Sequence, residues 1–340
     1  MIVVMQAKAT PEQIKEVEET LEGWGYEIHP IYGVERTVLA AVGAPSEDEA
    51  SLAEQIDALP FVEKSMLILK PYRLASREFR PEKSTVTVGD VVIGGNGFVM
   101  MAGPCTVESE EQLMTTARAV KAAGATVLRG GAFKPSTSPY SFQGMGEDGL
   151  KILAQAREET GLPIITEVMH IGNIDMVAKY ADILQIGTRN MQNYDLLIEV
   201  GKLKKPVMLK RGMSAKIEEW LQAAEYILKG GNDAVMLCER GVRTAETYTR
   251  NTLDLSAVLA VRELSHLPVI IDPSQGTGRA SMVPAMCRAA AAVGADGLLV
   301  EVHPNPEKAL KDGAQSITIP AFEQVMRELK LVVPAIGRTI

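Results

Sequence analysis

The chain has 340 residues, 46% of them hydrophobic, a formal net charge of −8 at pH 7 and three cysteines. That much apolar material excludes wholesale disorder and suffices for one large α/β domain with a smaller companion. The acidic balance argues against nucleic acid as a partner, so any anionic ligand must be met by locally placed Lys and Arg, and Cys105, Cys238 and Cys287 are too scattered for a disulfide framework or a CxxC metal ribbon.

The opening MIVVMQA reads as an apolar strand. It turns polar too soon for a signal peptide, and no window is long enough for a membrane span, so a cytoplasmic setting is expected. PEQIKEVEETLEGWG follows as a helix: Thr10 can cap it, Pro11 takes its first position, and Ile14, Val17 and Leu21 recur at helical spacing. YEIHPIY and RTVLAAVG read as strands around Gly33, SEDEASLAEQIDAL as a helix capped by Ser46, and FVEKSMLILK as a last strand. This β-α-β-β-α-β order over residues 1–70 is the ferredoxin-like split unit, a small α+β domain. Residues 71–84, PYRLASREFRPEKS, with two prolines and little periodicity, read as a linker. TVTVGDVVIGG reads as a hairpin turning at Gly89-Asp90.

From residue 98 the pattern changes. FVMMAG, TVLRGG, IITEVM, ILQIGT, PVMLKR, AVMLCER, PVIIDPS and LLVEVHP are short apolar runs separated by amphipathic stretches such as SEEQLMTTARAVKAAG. Eight buried strands alternating with helices predict an α/β fold over residues 85–340, a (β/α)8 TIM barrel carrying the hairpin at its start. An open doubly wound sheet is the competitor, but the first unit, MAGPCTVES, has no GxGxxG turn.

Barrel enzymes keep their chemistry at the C-terminal ends of the strands. Here those ends carry Cys105; Arg129, with Lys134 beyond; Glu167 and His170; Gln185 and Arg189; Lys210 and Arg211; Cys238, Glu239 and Arg240; Asp272; and Glu301 and His303. Arg129, Lys134, Arg189, Lys210 and Arg240 at one mouth would repel one another unless small polyanions neutralise them. Arg suits a bidentate grip on phosphate or carboxylate, and Lys acts as a point charge. Cys105, Glu301 and Asp312 combine a thiolate with carboxylates, which matches a divalent metal such as Mn, Fe, Zn or Co. Cys238 and Cys287 read as buried core residues.

The series GPCTVES, LRGGAFKPSTSPYSFQG, ITEV, QIGTRNMQN, MLKRGMSA, CERGVRT, TRNTLDLSAV, DPSQGTGR and EVHPNPEKALKDGAQS runs in order across the barrel. It resembles the type I-beta 3-deoxy-arabino-heptulosonate-7-phosphate (DAHP) synthases, and residues 1–70 resemble the regulatory extension of a subset of them. The resemblance implies condensation of phosphoenolpyruvate with the sugar-phosphate aldehyde erythrose 4-phosphate, the first step of the shikimate pathway. It further implies a homo-tetramer and an aromatic amino acid effector. Carried over residue by residue, Arg129, Lys134, Arg189, Lys210 and Arg240 would bind phosphoenolpyruvate, and Ser136 and Thr137 would meet the acceptor phosphate. Lys134, with its ammonium pKa lowered by neighbouring cations, would move protons, Glu167 would organise water and Asp272 would close the site. Cys105, Gln275, Glu301 and Asp312 would hold the divalent metal.

Two of these positions depart from the family pattern. Gln275 stands where the family reads His in DPSH, and Ser136 stands where KPRTS has Arg; Lys216 adds a cation in GMSAKIEE, where Thr is common. The departures raise a different acceptor or an altered metal dependence as the alternative. A non-catalytic phosphoenolpyruvate sensor, and an aldolase using Lys210 as a Schiff base, are readings of other classes.

Overall fold

The first four strands build one antiparallel sheet. In the computed structural model, which describes residues 1–33, 36–42, 49–67, 71–135 and 138–340, they belong to the first of two units, Met1–Pro71 and Tyr72–Ile340. Ser46, Ser136 and Thr137 lie outside the described residues. The first unit runs β1 (Ile2–Met5), α1 (Pro11–Gly23), β2 (Glu27–Tyr32), β3 (Thr37–Val42), α2 (Glu49–Asp57) and β4 (Val62–Met66), with sheet order β2-β3-β1-β4. Thr10 caps α1 as expected. Its Oγ1 accepts from the Gln13 amide at 3.3 Å, while Gln13 Oε1 accepts from the Thr10 amide at 2.9 Å. Val17 and Leu21 on the apolar stripe of α1 pack with Val3, Met5, Leu39 and Ile56 in a core of their own.

The second unit opens with β5 (Val86–Val88) and β6 (Val91–Ile93), paired antiparallel around Gly89, whose φ of +56° suits a residue without Cβ. Residues 71–84, expected as a linker, are laid down on this unit. Tyr72 and Ala75 are buried, and the amides of Leu74 and Ala75 donate to the Glu225 carboxylate at 2.7 and 2.8 Å. Backbone amides make these contacts, which is why the side-chain pattern did not announce them.

Eight parallel strands then close into the expected barrel: β7 (Val99–Gly103), β8 (Val127–Arg129), β9 (Ile164–Val168), β10 (Ile183–Ile186), β11 (Val207–Lys210), β12 (Val235–Glu239), β13 (Val269–Ile271) and β14 (Gly297–Glu301). The helices after them are α3 (Glu110–Ala123), α4 (Glu147–Thr160), α5 (Ile174–Tyr180), α6 (Tyr194–Gly201), α7 (Ile217–Lys229), α8 (Ser256–Leu264), the single turn α9 (Pro273–Thr277), α10 (Val283–Ala292) and α11 (Ile319–Ala335). Among the described residues no helix is long and apolar enough to cross a membrane.

Side chains alternate along each strand between two cores. Met100, Leu128, Ile164, Leu184, Leu209, Leu237, Ile271 and Leu298 belong to the larger one, which includes the helix residues Leu113, Leu153 and Trp220. Met101, Val127, Ile165, Ile183, Met208, Met236, Cys238, Ile270 and Leu299 belong to the other, which fills the barrel and takes in Val86, Val88 and Ile93 of the hairpin. Cys238 and Cys287 are core residues, as expected. Counting two residues onward from the last interior apolar position reaches Arg129, Glu167, Gln185, Lys210, Arg240, Asp272 and Glu301. The period of two that packs the barrel therefore also carries these polar side chains to its C-terminal mouth.

Candidate active site

A cavity of about 270 Å³ opens at that mouth. Its walls carry seven cationic side chains, Lys134, Arg189, Lys210, Arg240, Arg243, Arg250 and Lys311, against two carboxylates, Glu167 and Asp312. The deepest cations are held by pairs that bridge alternate strands. Lys210 Nζ at the end of β11 donates to Asp272 Oδ2, just past β13, at 2.6 Å, and both side chains are essentially inaccessible. Arg129 Nη1 at the end of β8 donates to Glu301 Oε1 at the end of β14 at 3.0 Å, and its Nη2 reaches the Cys105 carbonyl at 3.4 Å. Arg129 and Asp272 do not line the cavity; they lie beneath it and hold groups that do.

Asp272 also caps α9, its Oδ1 accepting from the Gln275 amide at 2.9 Å. Pro273–Thr277 is thus a helical turn fixed by the same carboxylate that fixes Lys210. Gln275 lines the cavity and its amide oxygen accepts from Lys210 Nζ and Arg240 Nε, each at 3.4 Å.

Ligand atoms of Cys105, Glu301 and Asp312 lie within 4.8 Å of one another. Cys105 Sγ is 3.2 Å from Asp312 Oδ2, and Lys134 Nζ is 2.8 Å from the sulfur and 3.5 Å from that carboxylate. Asp312 is the one non-glycine with positive φ among the described residues, at +53°. That conformation costs an L-residue roughly 1–2 kcal/mol and directs the carboxylate toward the thiol. The remaining lone pairs are occupied as metal-binding carboxylates require: Gln315 Nε2 donates to Glu301 Oε2 at 2.8 Å and Arg250 Nη1 to Asp312 Oδ1 at 3.2 Å. One soft and two hard donors, buried and oriented by second partners, fit a divalent transition metal.

The electrostatics differ from group to group. Burial pushes the Cys105 thiol up, and Glu301 adds to this, so a cation must displace its proton to bind. Burial opposes ionisation of Asp312, but Lys134 and Arg250 hold its carboxyl down at about 2. Burial likewise opposes Asp272, which Lys210 and Arg129 keep below the ordinary range. Glu167 is raised, because burial outweighs Lys134, Lys210 and Arg129. Lys134 corrects its expectation. Burial lowers it, but Cys105, Glu301, Asp312 and Glu167 outweigh that and raise it above the ordinary Lys range. Its nearest neighbours are acids and a thiol rather than cations.

Of the expected residues, Lys134, Glu167, Arg189, Lys210, Arg240, Gln275 and Asp312 line one cavity, with Cys105, Arg129, Asp272 and Glu301 buried. His170 is exposed and accepts from the Gly172 amide, and His303 is buried against Glu108, so neither strand-end histidine lines it. Arg211 has the outward parity: it pairs with Glu239 and Asp254, both at 2.9 Å, over the Trp220 ring. Lys216 precedes α7 and does not line the cavity. Arg243, Arg250 and Lys311 were missed because they stand in long loops where strand parity gives no direction. The only signal was a cation density in the loops after the sixth and eighth strands.

The description DAHP synthetase I family matches residues 75–334, and DAHP synthase ferredoxin-like domain matches residues 1–70. A phospho-2-dehydro-3-deoxyheptonate aldolase of Thermotoga maritima is 48% identical over 337 residues, 99% of each chain. A 2-dehydro-3-deoxyphosphooctonate aldolase of Syntrophotalea carbinolica is 34% identical, covering 73% of this chain and 95% of its own. The crystal structure of the Thermotoga maritima phospho-2-dehydro-3-deoxyheptonate aldolase superposes with a TM-score of 0.88 at 46% identity, covering 99% of this chain and 98% of that one. A truncated Thermotoga maritima 3-deoxy-D-arabino-heptulosonate 7-phosphate synthase covers 79% of this chain and 99% of its own, with a TM-score of 0.75 at 48% identity.

Proposed function

The chain belongs to the DAHP synthetase I family, and from that premise we propose that it condenses phosphoenolpyruvate with erythrose 4-phosphate and water to give DAHP and phosphate, at the entry to the shikimate pathway. The observation that carries this reading is the cavity itself: a cationic excess facing a buried thiol–carboxylate cluster. Phosphoenolpyruvate brings a carboxylate and a phosphate, and Lys134, Arg189, Lys210 and Arg240 neutralise them. Arg129 and Asp272 act from beneath, fixing Glu301 and Lys210. Arg243, Arg250 and Lys311 meet the phosphate of the acceptor.

Cys105, Glu301 and Asp312 would hold a divalent metal, which would supply Lewis-acid polarisation of the aldehyde. Carbon–carbon bond formation joins C3 of phosphoenolpyruvate to the aldehyde carbon, and the aldehyde oxygen takes a proton from the Lys134 ammonium. The high proton affinity of Lys134 keeps it charged until then. Water adds at C2 and gives a proton to Glu167, whose raised pKa suits a base. The phosphohemiketal then breaks its C2–phosphate linkage, its hydroxyl proton leaves with the phosphate, and the proton on Glu167 returns to Lys134.

Family likeness also supports a cytoplasmic tetramer with an aromatic amino acid effector on the Met1–Pro71 unit. The decisive experiment follows phosphate release from phosphoenolpyruvate with erythrose 4-phosphate and, in turn, Mn, Fe, Zn or Co. One phosphate per DAHP is expected; no release with any of these metals would overturn the reading.

A further inference from the structure

Gln275 is chemically misplaced for a metal ligand and well placed for something else. Its two closest polar neighbours, Lys210 Nζ and Arg240 Nε, are donor-only groups, both 3.4 Å from Oε1. An amide turned the other way would set its own N–H groups against two cationic donors, so chemistry fixes which end faces them. The backbone is also fixed: Asp272 Oδ1 holds the Gln275 amide, and Asn251 Nδ2 donates to the Gln275 carbonyl at 2.9 Å. Among the described residues the Gln275 Nε2 group has no partner, and Gln275 lines the cavity. Both lone pairs of Oε1 are taken up by buried cations, so ligating a metal beside Cys105, Glu301 and Asp312 would cost it at least one of them.

We propose that Gln275 is a positioning residue of the anion site: its amide oxygen ties Lys210 to Arg240, its amide N–H groups face the bound phosphate, and the metal is held by Cys105, Glu301 and Asp312 alone. This rests on the functional reading above for the identity of the phosphate compound, although inorganic phosphate probes the same cradle. A neutral amide suits the task. It spaces two like charges by accepting from both, and adds donors without neutralising either. A carboxylate would cancel the charge that attracts the anion. An imidazole offers a single acceptor nitrogen, and that nitrogen is then free to turn to a metal.

The test uses the full chain and three variants, Gln275→Glu, Gln275→Ala and Gln275→His. Two affinities are measured for each: Co(II), by calorimetry and by its thiolate absorption, and phosphoenolpyruvate and inorganic phosphate, by ligand-induced thermal stabilisation of metal-free protein. Gln275→Ala should weaken both phosphate compounds roughly three- to tenfold and leave Co(II) affinity within about twofold. Gln275→Glu, of the same shape, should weaken them more than Gln275→Ala does. Gln275→His should tighten Co(II) by about tenfold or more, since it adds a ligand. Loss of Co(II) affinity in Gln275→Ala would make the glutamine a ligand and sink the proposal, as would unchanged phosphate affinity in both Gln275→Ala and Gln275→Glu. A wild type that binds inorganic phosphate but not phosphoenolpyruvate would overturn the substrate reading while leaving the cradle standing. A wild type that binds neither overturns both.

Discussion

The two units treat buried polarity in opposite ways. Among the described residues, every buried ion pair lies in the barrel unit, whereas the fully buried positions of Met1–Pro71 are apolar apart from the Tyr26 hydroxyl, which meets no hydrogen-bond partner. Removing an ion from water costs several kcal/mol unless a partner repays it, so the small unit has the core expected of a chain segment that only needs to fold. The barrel accepts that cost at both ends: Asp296, just before β14, is buried against Lys83 and Arg338. At the mouth the deepest pairs skip a strand: β11 with β13 in Lys210–Asp272, and β8 with β14 across β7 in Arg129–Glu301. Alternate strands contribute to one layer of a barrel, so opposite charges two strands apart meet at the same height.

Lys210→Met breaks this contrast most severely. It leaves Asp272 buried without its cation, and we expect about 3–5 kcal/mol of destabilisation in a urea titration together with a hundred- to thousandfold loss of turnover. Lys210→Met/Asp272→Asn should recover much of the stability and none of the turnover. A single variant as stable as the parent would show that the pair is not what the barrel mouth depends on. Next in size is Cys105→Ala, which removes the soft donor of the cluster. Its Co(II) complex should lack the thiolate absorption band and bind at least about tenfold more weakly, with the urea midpoint little changed because a small buried side chain is shortened by one atom. Retention of the band would assign the metal elsewhere. Smaller again is the double variant Arg243→Ala/Lys311→Ala. No ion-pair partner meets either cation among the described residues. We expect the KM for the aldehyde to rise roughly tenfold, an exposed charge-assisted contact being worth about 1.5 kcal/mol, with the KM for phosphoenolpyruvate unchanged. A rise in both would merge the two anion sites into one.

Much of the barrel was legible because its two signals are local. Apolar runs fixed the strands, and the amphipathic intervals fixed the helices. The strand ends then named most of the cavity. Parity sharpens that reading. Met208 lies inside the barrel, so Lys210 must point to its mouth and Arg211 to the helices; Met236 and Cys238 make the same choice for Arg240 over Glu239. Pairing was not legible, because Arg129 and Glu301 are brought together only when the first and last strands close the sheet. The error on Lys134 has the same source. Counting cations along the sequence made its surroundings look positive, whereas closure puts Cys105, Glu301 and Asp312 around it. Arg250 escaped because its direction is set by contacts to Asp312 and Gln315, some sixty residues onward in a different loop.

The smallest effect should come from deleting residues 1–70. The apolar core of the first unit contributes none of the cavity lining, and the second unit has its own closed barrel and its own two cores. Residues 72–340 should therefore fold alone, because Tyr72, Ala75 and the Glu225 clamp that secure the start of the barrel remain. Turnover should stay within about threefold of the full chain, as expected for residues that supply no side chain to the anion pairs or the metal cluster. Any response to added tyrosine or phenylalanine should disappear with the deleted unit. Leu39→Ala in the full chain separates folding from presence: it empties a fully buried position of the small core, at a cost of about 2–5 kcal/mol. It should abolish that same response while sparing turnover. Were turnover to collapse in either protein, the apolar unit would be a participant in catalysis, and the division of labour between the two cores would be wrong.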